Sequence, residues 1–156
     1  MPKGEPLSHH KRVADFMRAG DQPVRTTPTI PNAEEAWLRL NLLSEEFAEY
    51  KAARLRCERA QHIRDEREVR NAVIEMADAL GDMCVIIYGT AHAYGINLPN
   101  VLDEICDSND TKIVDGRLIK RADGKILKPD TFRAPDLRWA LFGNPDNEYT
   151  GDEDYE

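Results

Sequence analysis

Apolar runs are short in this chain: the longest, Met83 to Tyr88, falls far below the ~20 residues that a membrane-spanning helix needs. Cysteine is scarce and scattered. Cys57, Cys84 and Cys106 show no CxxC spacing, which argues against both a disulfide framework and a thiolate zinc site and leaves reduced thiols as the expectation. The four histidines, His9, His10, His62 and His92, form no ligand pattern. No surplus of positive charge is present either. The net charge is -8, so the surface as a whole should repel DNA and anionic lipid, and neither nucleic acid nor membrane is an expected partner. A polyanionic ligand would need a local positive device. Met1 to His10 contains no apolar stretch of signal-peptide length, so a cytoplasmic location is expected. There is no internal repeat, and the one biased segment is the acidic tail Asn144 to Glu156.

At 156 residues, with 41% hydrophobic and 32% charged side chains, the chain can build one domain with a real core but hardly two. We expect a single helical domain over 1–142 and an acidic, disordered tail over 143–156. Ser8 can cap a first helix with Val13, Phe16 and Met17 on one face and Gly20 as its stop. Pro23, Pro28 and Pro31 then exclude regular structure up to Pro31. Asn32 and Glu35 make a capping-box-like start for a long second helix, which carries Ala36, Leu40, Leu43 and Phe47 as a stripe and runs to about Ala60. A third helix follows the polar stretch Gln61 to Glu66 and carries Val69, Val73, Met76, Leu80, Met83 and Ile87 to about Tyr94. These two should pack antiparallel. A fourth begins near Pro99 with Val101, Leu102, Ile105 and Cys106. Asp115-Gly116 and Asp123-Gly124 flank the β-prone Leu118-Ile119 and predict a small hairpin or ordered loop. The fold class is therefore all-α, an antiparallel bundle of four to five helices. Helices this long in so small a unit should bury part of their surface in a second copy, so a dimer or tetramer is expected.

What the sequence does have is acid in an unusual setting. Glu45, Glu46 and Glu49 occupy an arc of roughly 100° on the second helix. Glu75, Asp78 and Asp82 stack along one face of the third. Solvated helix faces usually set a Lys or Arg three or four residues from an acid, yet Glu45, Glu46, Glu49, Glu75 and Asp78 meet only apolar residues, amides and one another at those steps. Carboxylates held so close raise each other's pKa unless something positive joins them. A divalent cation is the simplest remedy. Oxygen ligands without His or Cys favour magnesium or manganese over zinc, and several carboxylates in one cleft can hold more than one ion. Such ions bridge phosphate oxygens and activate water.

EExxE followed after 25 residues by ExxD resembles the signature of the MazG-like all-α nucleoside triphosphate pyrophosphohydrolases, a group related to phosphoribosyl-ATP pyrophosphohydrolase and the dimeric dUTPases. Leu38-Arg39, Ser108 to Lys112, Asp123-Gly124-Lys125, Lys128 and Pro135-Asp136 are similar to the longer pattern of phage and bacterial members. The chain departs from that pattern at Asp110-Thr111, where a methionine is usual. The resemblance implies that Glu46, Glu49, Glu75 and Asp78 hold two or more Mg2+ ions (or Mn2+) against a triphosphate. It implies that Glu45 orients or deprotonates the attacking water, or helps with a further ion, and that Asp82 stands behind the ligands. Attack falls at the α-phosphorus, giving a monophosphate and pyrophosphate. Lys112, Lys125 and Lys128 would grip phosphate oxygens, and Asn109 would contact sugar or phosphate. The same likeness to phage members suggests dGTP as the first substrate to test, with dUTP or dCTP behind it, and the host cytoplasm as the location if the protein is viral.

Each assignment has a plainer rival. The acids could be ordinary surface residues, Lys125 and Lys128 solvated turn lysines, and Asn109 a helix-ending residue. Trp37, Asn41, Phe16 and Gln22 offer aromatic faces and amide edges for a nucleobase, although for Trp37 and Phe16 core packing is the expectation. A ferritin-like di-iron protein would need Glu-x-x-His pairs, which are absent. A helical interaction module whose acidic face binds a basic partner is the non-enzymatic alternative.

Overall fold

In a computed structural model that describes residues 8–143, 65% of those residues lie in five helices, and the remaining regular structure is one tiny two-stranded sheet. Backbone contacts divide the described residues into two compact units that meet in sequence between Ile96 and Asn97. The expected acidic tail lies, beyond Gly143, outside the described residues.

Helix α1 spans His9–Ala19, with the Ser8 hydroxyl accepting from Lys11 N–H at 3.3 Å and Gly20 closing its end. It buries Val13, Ala14 and Met17, whereas Phe16 is 71% exposed and joins no core. The connector is fastened to the end of α3 (Glu66–Tyr94) by Arg25 N–H to His92 O and Thr29 N–H to Tyr94 O, both 2.9 Å. Gly95 ends α3 in the left-handed conformation at φ 67°, and a Cβ there would stand 1.9 Å from Thr27 O, so only glycine lets connector and helix end meet this closely.

Helix α2 spans Ala33–His62. Asn32 Oδ1 accepts from Glu35 N–H at 2.9 Å as the capping pattern predicts. Glu35 does not close the box, however. Its carboxylate takes both arms of the Arg25 guanidinium, at 2.8 and 2.9 Å, because a charge-assisted fork outcompetes a backbone N–H. Arg25 also donates to Ala93 O at 2.5 Å, tying the connector to both long helices. After a short turn through Arg64, Asp65 caps α3, which returns antiparallel to α2.

The seam of this pair differs from the expected one. What α2 buries is Arg39, Ala53, Cys57 and Ala60, and α3 buries Ala72, Ala79, Gly89, Ala91, His92 and Ala93. Several larger residues of the predicted stripes face outward in the isolated chain, Leu40 and Phe47 each 52% exposed, Val73 50% and Leu80 48%, while Leu43, Val69, Met76 and Met83 are half-buried. Trp37, expected in the core, is 62% exposed. At the far end the His10 and His92 rings lie 4.1 Å apart with His92 Nε2 bonded to His10 O at 2.8 Å, so these histidines fasten α1 to α3. Burial, and secondarily His92, pushes the His10 pKa down.

In the second unit, Asn97 caps α4 (Leu98–Asp110), and strands β1 (Ile113–Val114) and β2 (Arg117–Leu118) pair antiparallel, Ile113 with Leu118 and Val114 with Arg117. Asp115 and Gly116, at φ 50° and 72°, make the two-residue turn that suits the twist of a hairpin. A short α5 (Leu137–Phe142) follows, capped by Asp136. Thr111, of the Asp110-Thr111 pair that stands where a methionine is usual, has a structural task. Its hydroxyl accepts from Arg133 N–H at 2.9 Å while its carbonyl accepts from Thr131 Oγ1 at 3.1 Å, stapling that segment to the end of α4.

Candidate active site

Glu46 is the centre of the acidic cluster. Its Oε2 is buried without a hydrogen-bond partner, and its pKa is raised, first by burial and then by the charges of Glu49, Asp82, Asp78 and Glu45. Helix periodicity places Glu45, Glu46 and Glu49 together, and the antiparallel return of α3 sets Asp78 and Asp82 across from them. Asp82, expected behind the ligands, bears on Glu46 more strongly than Asp78 does. Around the cluster Glu45, Glu49, Asp78 and Asp82 are exposed, so solvent and a ligand can reach them.

Glu75 departs from its expected setting. Arg56, from α2, grips it through Nη1 at 2.6 and 2.5 Å and binds Glu68 through Nε. The expectation that Glu75 lacks a basic partner is thus corrected, for a physical reason. Spacing along one helix reports only that helix, and the partner comes from the other. Glu75 is also absent from the charges that act on Glu46.

Two turns before Glu46 on the same face of α2, Arg39 is 7% exposed. Its Nη2 donates to Gln22 Oε1 at 2.7 Å and its Nε has no partner, while a Cβ at Gly89 would approach its Nη1 to 3.0 Å. Gln22, a base-pocket candidate, is therefore occupied with a buried arginine. Trp37 and Asn41 are exposed on α2. In the second unit Lys112 Nζ donates to Asn109 Oδ1 at 2.8 Å, and the ammonium groups of Lys112 and Lys128 lie 5.5 and 5.0 Å from the Phe132 ring centre. The sequence does not single out that ring, because Phe132 follows the last lysine, Lys128, and meets Lys112 only through the fold. Lys125 contributes its backbone N–H to the Asp123 turn at 3.0 Å.

The sequence pattern of phosphoribosyl-ATP pyrophosphohydrolase matches residues 13–109, well over half of the chain, and takes in all six acids. The chain belongs to the phosphoribosyl-ATP pyrophosphohydrolase family. It is therefore a hydrolase of phosphoanhydride bonds, within the MazG-like all-α superfamily, acting on nucleotides. No curated protein matches the chain. The match ends before Lys112, Lys125 and Lys128. Pyrophosphohydrolases of this family depend on a metal, generally Mg2+. Among the described residues no three His, Cys, Asp or Glu side chains already converge as a metal cage. The donor set still fits a hard cation: it is oxygen-only, drawn from two helices, and contains a buried carboxylate oxygen that nothing among the described residues satisfies.

Proposed function

We propose that this pyrophosphohydrolase cleaves a (deoxy)nucleoside triphosphate to the monophosphate and pyrophosphate. The observation that carries the reading is the buried Oε2 of Glu46, without a partner among the described residues and under the charges of four further carboxylates. Such an arrangement is costly unless cations share it. Glu46, Glu49, Glu75 and Asp78 would hold Mg2+ (Mn2+ substituting), two or more ions per site, with Asp82 behind them. The bound cation neutralises phosphate charge and activates water. Glu45 orients the water and takes its proton as the water oxygen bonds to the α-phosphorus. The bond from that phosphorus to the α–β bridging oxygen breaks, and pyrophosphate leaves. Lys112, Lys125 and Lys128 would grip phosphate oxygens, Asn109 the sugar or a phosphate, and Trp37 with Asn41 the base, the exposure of Trp37 supporting a ligand-facing role over a core one.

The test is a nucleotide panel with Mg2+ in which both products are identified, with dGTP first, dUTP and dCTP behind it, and phosphoribosyl-ATP included for the family's sake. Expected are equal amounts of monophosphate and pyrophosphate, lost in Glu46→Ala. Release of orthophosphate would refute the proposed bond cleavage, and equal rates on all triphosphates would refute a preference for dGTP.

A further inference from the structure

Arg56 is the one basic side chain among the described residues that touches an acid of the EExxE/ExxD set. It stands on α2 two turns beyond Glu49, against the first half of α3, and reaches Glu68 and Glu75 together. Its two ends differ in kind. Glu68 belongs to the first turn of α3, whose N-terminus favours a negative charge, so it is a fixed anchor. Glu75 belongs to the proposed cation site. Both of its oxygens lie within hydrogen-bond distance of Arg56 Nη1, so the lone pairs that a cation would use already face a guanidinium. Arg56 is 42% exposed and Glu75 47%, which makes the pair reversible rather than a buried lock.

We propose that Arg56 is a positioning residue that holds Glu75 away from the Glu46 cluster, and that a divalent cation is bound only by taking Glu75 from it. The proposal rests on the metal reading above. It sets the occupancy of the site: with Arg56 anchored on Glu68, the cation competes with a tethered counter-charge, and its affinity is lower than the carboxylates alone would give. Glu75 then joins the cluster when the cation, or a cation carried in with the triphosphate, offers more than the guanidinium does.

The test is Mn2+ binding to the full chain, followed by electron paramagnetic resonance and calorimetry without nucleotide, for wild type, R56Q and R56K. A half-exposed pair of this kind shifts an equilibrium by a factor of a few, and Arg56 meets both Glu75 oxygens, so R56Q should bind Mn2+ about three- to tenfold more tightly. R56K keeps the charge but loses the planar fork that spans two carboxylates, so it should fall between the two. Thermal melts confirm that each variant is folded, which the exposure of position 56 favours. An R56Q affinity equal to or weaker than wild type, with wild type binding, overturns the latch and leaves the metal reading intact. R56K matching wild type while R56Q tightens overturns it too, because charge at a distance would then suffice. If neither wild type nor R56Q binds Mn2+, the metal reading fails and the latch falls with it.

Discussion

Glu46 combines two costs that no other carboxylate among the described residues combines: an oxygen out of contact with water and partners, and four neighbouring acids. Its substitutions should therefore act in opposite directions on stability and on function. Glu46→Gln removes the repulsion while keeping the shape, so in chelator the variant should melt at a higher temperature than wild type by calorimetry. Adding Mg2+ should stabilise wild type by mass action and leave the variant nearly unmoved. Hydrolysis by Glu46→Ala should fall by more than about a hundredfold, since even the outer partners of metal ligands cost ~10- to 100-fold when removed. A metal-free Glu46→Gln less stable than wild type would show that the cluster is not strained. The acids could be read from the sequence because their spacing and lack of partners along the helix are local properties. Arg39 and Arg56 could not: Arg39 bonds to Gln22 of the connector and Arg56 to Glu68 and Glu75 of α3, and those meetings are set by tertiary folding rather than by period.

Among the elements, the connector between α1 and α2 does more than its proline content suggests. It is pinned at Arg25 and Thr29 to the end of α3, and Gly95 gives it room. Gly95→Ala must adopt a left-handed conformation that costs a non-glycine residue ~1–2 kcal/mol, and it must also push Thr27 aside, loosening backbone bonds worth ~1 kcal/mol each. A loss of about 3 kcal/mol or more in urea denaturation is expected. The Arg25–Glu35 fork adds a pH dependence. The hydrogen bond from Arg25, then its charge and that of Arg39, hold Glu35 below its usual pKa, so unfolding takes up a proton as acid is added. This contribution is fully present above the ordinary glutamate value of ~4.3 and is lost as pH falls through the lower folded value. Glu35→Gln should remove that acid-limb loss, leaving its stability flatter than wild type below about pH 4.3 in denaturant titrations. Caps and stops were legible at this scale because they depend on three or four adjacent residues; Ser8, Asn32 and Gly95 all fall where the sequence places them. The partner of Glu35 was not, since Arg25 approaches through the folded connector.

For the molecule as a whole, the apolar stripes read from helical period are only partly covered in one chain: Ala36, Leu43, Val69, Met76 and Met83 are half-buried, and the other members face outward. Leu40 and Phe47, joined by Leu55 beyond the stripe as read, fall within one arc of α2, and Val73, Leu80 and Ile87 within one of α3, and all are more than 40% exposed. The apolar residues fully buried along the two helices are alanines, Cys57 and Gly89, which permit close approach but bury little area. Period alone therefore identified a buried-type face without saying which surface would cover it. A monomer leaving two such stripes in water would be poorly stabilised and prone to associate. A second copy is the covering that needs no other partner, and it would make the expected dimer or tetramer. Light scattering at micromolar concentration should give the mass of two or four chains. Leu80→Glu places a charge in the stripe, far from the α1 contact that Val13 and Met17 make at Gly89. A central apolar contact of this kind is worth at least ~2 kcal/mol, so dissociation should strengthen about thirtyfold or more while each chain keeps its helical spectrum. A wild-type chain that stays monomeric at that concentration would mean the stripes are covered by something else, and the stability of α2 and α3 would then need a different source.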